Sequence, residues 1–193
     1  MLRDSRVART GVRDGPLRCR KIRILGAAGS GKSHVAAGLS EKCDIPAFDL
    51  DDIFWDNRAG GYGVMAPVDE QDEGLGKILE RDSWIIEGVY CRWAFESIEE
   101  ADIIIVLTTP VWLRDWRIVT RFLKRKLGLI PSKKKETLAA LYRLIRRNHR
   151  YESESLPFAR SLIEIMKLNA VDCRTPDDVF RALAPEGAAN EAH

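Results

Sequence analysis

The sequence predicts an α/β domain in which a parallel sheet is covered by helices, and three observations carry that expectation. Short apolar runs alternate with stretches of helical periodicity along most of the chain. One such run, Ile22 to Leu25, leads directly into Gly26-Ala27-Ala28-Gly29-Ser30-Gly31-Lys32-Ser33, the pattern G-x-x-x-x-G-K-S between a strand and a helix. Another, Asp102 to Leu107, is almost wholly β-branched, as expected of a central strand covered on both faces.

The elements follow in order. After the first strand and its glycine-rich turn, Val35, Ala36 and Leu39 fall at helical spacing on a helix that runs to about Cys43. A second strand, Ile45 to Phe48, ends on Asp49-Leu50-Asp51-Asp52. A loop rich in glycine and aromatic residues, Phe54 to Pro67, precedes an acidic helix from about Val68 to Arg81. Trp84 to Ile86 is a third strand, closed by Glu87-Gly88, and Asp102 to Leu107 is the fourth. Between it and a weaker fifth strand at Leu168 to Val171 lies a basic segment, read as helices over Val111 to Leu127 and Lys133 to Arg150, broken at Gly128 and Pro131. Thr175-Pro176-Asp177-Asp178 opens the closing helix with an N-cap, proline at N1 and acids in the first turn.

Charge is strongly segregated. The 193 residues include 31 basic and 29 acidic side chains, a formal net charge of +2, which argues against a dedicated nucleic-acid binder. Met1 to Lys21 nonetheless carries +5 and Val111 to Arg150 carries +11, leaving −14 for the rest of the chain. A hydrophobic fraction of 45 % excludes a disordered chain and fits one globular domain. The four cysteines, Cys19, Cys43, Cys91 and Cys173, form no C-x-x-C pair and point to a reducing, cytoplasmic setting. The longest apolar run, Ile103 to Leu107, is far too short to span a bilayer. Residues 1–20 are expected to be a disordered basic extension without the apolar core of a secretory signal, 21–184 the domain with an inserted lid at about 114–150, and 185–193 a disordered tail.

The chemistry centres on Gly26 to Ser33. Its glycines let the backbone bend around a polyphosphate, and its amides and the helix N-terminus that follows face the anion. Lys32 is suited to the β- and γ-phosphates of ATP, and the Ser33 hydroxyl to Mg²⁺. Gly26, Ala27, Ala28, Gly29, Ser30, Gly31, Lys32, Ser33 and His34 are thus the expected cofactor-binding residues. A motor or switch NTPase needs an acid at the end of a central strand, whereas Asp102 to Leu107 runs into Thr108-Thr109-Pro110. Acids stand instead at the end of the second strand, where Asp49 or Asp51 could accept the proton of an attacking hydroxyl, and Asp49 could hold Mg²⁺ through water. Any one of these aspartates could equally be an Asx turn or helix N-cap. Glu87, Gly88, Tyr90 and Arg92, with Asp51 and Phe54, are candidates for the acceptor substrate, with a charged strand end and ordinary core packing as the alternatives for Glu87 and Phe54.

In the basic segment Arg114, Arg117, Arg121, Lys124 and Arg125 recur at spacings of three and four and share a helix face; Lys133 to Lys135 and Arg143, Arg146, Arg147 and Arg150 continue the charge. Arginines that close over a transferring phosphoryl group stabilise its charge and exclude water, the reading preferred here for Arg117 and Arg121. A nucleic-acid contact surface is the alternative.

These pieces resemble the adenylate-kinase-like P-loop kinases, most closely the group related to the FlaR DNA topology modulation protein. The likeness spans about Ile22 to Leu183 and rests on G-A-A-G-S-G-K-S, F-D-L-D-D-I-F-W, W-I-I-E-G-V-Y, A-D-I-I-I-V-L-T-T-P and R-I-V-T-R. It implies a three-layer P-loop fold with strand order 2-3-1-4-5, places Arg117 and Arg121 at the nucleotide base and phosphates, and places Arg174 and Thr175 in a loop packed on adenine. It departs from the group at Glu87-Gly88-Val89-Tyr90, where Asp-Gly-Asn-Tyr is common, and at Thr108, where an acid is common. The activity expected is ATP- and Mg²⁺-dependent phosphoryl transfer to a small acceptor, a nucleoside or nucleotide; a regulatory ATP-binding protein that contacts nucleic acid is the second expectation.

Overall fold

The computed structural model describes residues 19–56, 64–130 and 137–183. Five strands form one parallel sheet: β1 (Lys21–Gly26), β2 (Ala47–Asp49), β3 (Trp84–Glu87), β4 (Ile103–Leu107) and β5 (Ala170–Cys173), in the order β2-β3-β1-β4-β5. All run the same way, so Gly26, Asp49 and Glu87 end at a single sheet edge. Helices cover both faces, giving the expected three-layer α/β P-loop architecture and strand order.

Period-two alternation sorts the sheet side chains into cores on its two faces. Ile22, Ile24, Ile103, Ile105 and Leu107 pack with Val35, Ala36 and Leu39 of α1 (Lys32–Cys43). Leu25, Ile104 and Val106 face the other way, onto Leu156 and Ala159. All five residues of β4 are buried, as the β-branched run requires of a strand with both faces covered. A third cluster joins Trp84 and Ile86 to Leu50 of α2 (Leu50–Phe54) and to Leu75 and Ile78 of α3 (Val68–Leu79).

The remaining helices are α4 (Glu96–Glu99), α5 (Val111–Lys126), α6 (Leu138–Arg150), α7 (Leu156–Ile165) and α8 (Pro176–Ala182), with a π-helical turn at Tyr151–Ser155 joining α6 to α7. Several boundaries differ from expectation for local reasons. Pro46 has no N–H to give a ladder, and β2 begins at Ala47 rather than Ile45. Lys167 closes α7 at φ 54° with the Leu168 amide on Ile163 O, which delays β5 from Leu168 to Ala170. The single turn α4 and the helix α7 fall where no helix is expected from the sequence. Residues 1–18 of the extension expected at 1–20, Lys133 to Lys135 and the tail at 185–193 lie outside the described residues, as does part of the loop between Phe54 and Pro67. Among the described residues no helix is long and apolar enough to cross a membrane.

Candidate functional site

The glycine-rich turn leaves β1 and enters α1 at the carboxyl edge of the sheet. Gly29 and Gly31 take φ of 77° and 100°, the left-handed region that only glycine enters cheaply. The crowding is equally strict, since a Cβ on Gly29 would lie 2.8 Å from Arg114 O and one on Gly26 2.7 Å from Ser30 Oγ. Ser30 is fully buried, and its hydroxyl has no hydrogen-bond partner among the described residues. The turn is braced from behind by Arg117, whose guanidinium donates to Gly29 O at 3.1 Å, and by the Thr109 hydroxyl, 3.1 Å from Ser30 O and 2.9 Å from Arg174 O. Lys32 donates to Ala27 O at 3.2 Å.

Beside the turn stands Glu87, the last residue of β3 and nearly fully buried. It accepts the Ser33 hydroxyl at 2.5 Å through Oε1, and its Oε2 lies 3.7 Å from Lys32 Nζ. Glu87 therefore sits with Lys32 and Ser33 of the glycine-rich turn, a carboxylate at the end of β3 where the end of β4 has Thr108-Thr109-Pro110. Asp49 is its register partner across the β2–β3 ladder. Burial, then the charge of Glu87 and that of Asp51, push the Asp49 carboxyl up to about 7, opposed by the Asp51 amide and Lys32. Asp49 is also the N-cap of α2, accepting Asp51 N at 2.9 Å, so the capping role and the site position coincide.

Asp51 faces an aromatic group. Its Oδ1 accepts the Tyr90 hydroxyl at 2.6 Å and Trp55 Nε1 at 3.3 Å. Phe54 stacks on Tyr90 at 4.3 Å, and Trp93 closes edge-on against both rings. Burial and the Asp51 charge raise the Tyr90 phenol, which stays a neutral donor. Gly88 packs its bare Cα on Leu50, where a Cβ would lie 3.0 Å from Leu50 Cβ, so that packing alone favours glycine. Arg147 of α6 reaches this group and sits 5.7 Å from the Trp55 ring centre.

The other expected residues have partners of their own, and Arg174 stays beside the turn through Thr109. His34 meets Phe180 of α8 edge-on. Arg92 lies over Phe158 of α7, 4.7 Å from the ring centre, rather than among the aromatics around Asp51. Arg174 and Thr175 present backbone N–H groups to Asp178, and Thr175 caps α8 in a reciprocal capping box. Arg114 does not share an exposed face with its neighbours: it is fully buried and donates to Glu152 at 2.5 Å, and among the described residues its Nε and Nη1 have no partner. Arg117 and Arg121 do fall together, lining with Trp116, Thr120, Lys124 and Ile130 an open cavity of about 350 Å³ along α5. Asp115 ties α5 to α6 by accepting Asn148 Nδ2 at 2.7 Å and lying 2.6 Å from His149 Nε2.

Arg23 is the main residue that sequence reasoning misses. It occupies a mid-strand position in β1, fully buried, and its guanidinium donates to Ile24 O, Ile86 O and Tyr90 O. It thereby ties the chain at Tyr90 to the sheet. Burial lowers its pKa to about 10. A lone arginine inside an otherwise apolar strand was the signal available.

With this geometry described, comparison with known proteins places the fold. The shikimate kinase of Acinetobacter baumannii, solved with shikimate, superimposes with a TM-score of 0.55 over 89 % of this chain and 94 % of its own, at 16 % identity. The shared fold is the three-layer α/β P-loop fold. A gluconokinase from Sinorhizobium meliloti 1021 aligns over 84 % of this chain and 88 % of its own, at 16 % identity and a TM-score of 0.47. In sequence, 107 residues, 55 % of this chain, are 28 % identical to the uncharacterized protein YqaC of Bacillus subtilis strain 168, and the match spans 58 % of that protein's length. No protein-family model matches the chain.

Proposed function

We propose that this protein is an ATP-dependent phosphotransferase that moves the γ-phosphoryl group of ATP to a hydroxyl of a small acceptor, a nucleoside or nucleotide. The observation that carries the reading is the meeting, at one sheet edge, of the phosphate-loop residues Lys32 and Ser33 with the carboxylates Glu87 and Asp49, next to an aromatic-walled Asp51. The fold shared with shikimate kinase supports this reading.

In it, the loop amides and Lys32 bind the β- and γ-phosphates, and Arg117, held on the loop carbonyls, and Arg121 bind the phosphates and base from the α5 side. The cavity along α5, with Trp116 and Ile130 in its wall, takes the nucleoside part of the donor. The donor set beside the loop is all oxygen, a hydroxyl and carboxylates, as Mg²⁺ prefers. Ser33 would hold the ion directly and Asp49 through water, and the bound ion would neutralise phosphate charge. Asp51, fixed by Tyr90 and Trp55 with Oδ2 turned to neither, accepts the proton of the acceptor hydroxyl, while the Phe54–Tyr90 pair offers a face for a ring. Membership in the FlaR-related group belongs to the same proposal.

The test is a screen of nucleosides, nucleoside monophosphates and small hydroxylated metabolites with ATP and Mg²⁺, read as ADP release above the acceptor-free rate. Stimulation by one acceptor class is expected. ADP release that no acceptor changes would overturn the proposal.

A further inference from the structure

Arg23 is a costly residue to place inside a sheet. It stands mid-strand in β1 with no exposure, and even with its pKa lowered to about 10 the guanidinium is charged at neutral pH. Its hydrogen bonds all go to main-chain carbonyls rather than to a carboxylate, and its Nε has no partner among the described residues. A buried charge without an ion pair destabilises a fold. Methionine would fill the position beside Leu25, on the same apolar face of β1, without that penalty. Stability alone therefore does not explain the residue.

The three carbonyls belong to the segments that carry the candidate site. Nη1 donates to Ile24 O at 3.0 Å, just before the glycine-rich turn opens, and to Ile86 O at 3.1 Å, next to Glu87. Nη2 donates to Tyr90 O at 2.9 Å. The β1–β3 ladder already fixes the first two, since Ile24 pairs with Glu87 and Gly88 N donates to Ile24 O at 3.2 Å. Beyond that amide Val89, Tyr90 and Cys91 lie outside the sheet, so the added effect of Arg23 falls on Tyr90. Tyr90 in turn gives its hydroxyl to Asp51 Oδ1 at 2.6 Å, the oxygen that Trp55 Nε1 reaches at 3.3 Å. A planar guanidinium holds several carbonyls in set directions, as the flexible ammonium of lysine does not.

We propose that Arg23 is a positioning residue for phosphoryl transfer: through Tyr90 it fixes Asp51 relative to the glycine-rich turn, and so keeps the acceptor side of the site in register with the donor side. The inference rests on the roles proposed above for Asp51 and the turn. Arg23 itself touches neither substrate and moves no proton. Its loss displaces Asp51, and a misplacement of about 1 Å costs about a hundredfold in rate.

The first test needs no turnover. The chain has five tryptophans, and their indole N–H signals in a ¹H–¹⁵N spectrum, assigned by single Trp→Phe variants, report separate regions. Arg23→Met should shift the signal of Trp55, which donates to Asp51, and that of Trp93, edge-on to Tyr90, and leave those of the exposed Trp112 and Trp116 in place. The second test reads transfer to the acceptor found by the screen. Arg23→Met should lower kcat by about tenfold to a hundredfold, while ATP affinity in isothermal titration stays within about twofold. Tyr90→Phe should lose a similar factor, and the double variant no more than either alone, because the two side chains act in one chain of contacts. If Arg23→Met fails to fold, Arg23→Lys, which keeps the charge without the fork, is read in the same way. An unmoved Trp55 signal, shifts that extend to Trp112 and Trp116, ATP affinity that falls in step with kcat, or losses that add would each overturn the proposal. A wild type that transfers to no acceptor would instead overturn the proposed function, and the indole shifts would still decide whether Arg23 holds Asp51 through Tyr90.

Discussion

The carboxylate pair at the end of β2 and β3 makes a quantitative demand. Replacing Glu87 with Gln keeps an acceptor for the Ser33 hydroxyl but removes one negative charge beside Asp49. Neighbouring strands lie about 4.8 Å apart, which puts the two charges roughly 6 Å apart; at an effective dielectric of about 20 their repulsion is about 3 kcal/mol, or some 2 pKa units. That is an upper bound, because burial is the larger cause of the rise from 3.8 to about 7 and Glu87 the second. Glu87→Gln should therefore lower the Asp49 pKa by about one unit, leaving it well above an exposed aspartate. Carboxyl ¹³C NMR across pH 4 to 9 reads this directly, with Asp49→Asn to assign the signal. The folded pKa lies above the ordinary value, so the stabilising contribution of Asp49 is complete near pH 4 and is lost as pH rises through about 7. In the variant that loss should end about one pH unit earlier. An Asp49 signal that does not move, or moves up, would show that Glu87 is not the charge that acts on it.

Three further substitutions probe the frame around the site. Glu152→Ala strips the fully buried Arg114 of its carboxylate and should cost about 3–5 kcal/mol in urea unfolding, whereas Arg114→Met with Glu152→Leu should cost much less, because no buried charge remains unpaired. Gly29→Ala forces a side chain into a left-handed backbone 2.8 Å from Arg114 O; isothermal titration should show ATP affinity lost by about tenfold or more, with the deficit in the loop and not in the overall melt. Gly76→Ala, in α3 with nothing within 4 Å of the added methyl, should instead stabilise the fold by about 0.5–1 kcal/mol in the same unfolding assay.

Much of the fold is legible in the sequence because local and tertiary demands agree there. The β-branched Ile103–Leu107 run can only be a doubly covered strand, and the G-x-x-x-x-G-K-S turn fixes both the strand before it and the helix after it. Boundaries slip where one residue overrides periodicity, as Pro46 and Lys167 do. The candidate site is less legible. Glu87 reads along the chain as a strand end facing substrate, and only the strand order brings it to Lys32 and Ser33. Arg114 and Arg117 look equivalent on a helical wheel, yet one is buried on Glu152 and the other braces Gly29, because α5 meets the π turn on one side and the phosphate loop on the other. Arg147 is one of many arginines in α6 until the packing of α6 brings it to Trp55.

The central claim is that the loop and its neighbouring carboxylates transfer a phosphoryl group rather than merely hold a nucleotide. ³¹P NMR of ATP, Mg²⁺ and the acceptor selected by the screen, with wild-type protein and with Lys32→Ala, tests it most directly. The wild type should convert the γ-phosphate signal into a phosphoester of the acceptor with ADP in equal amount, and Lys32→Ala should abolish the conversion. ADP with inorganic phosphate alone, or conversion undiminished in Lys32→Ala, would contradict the account.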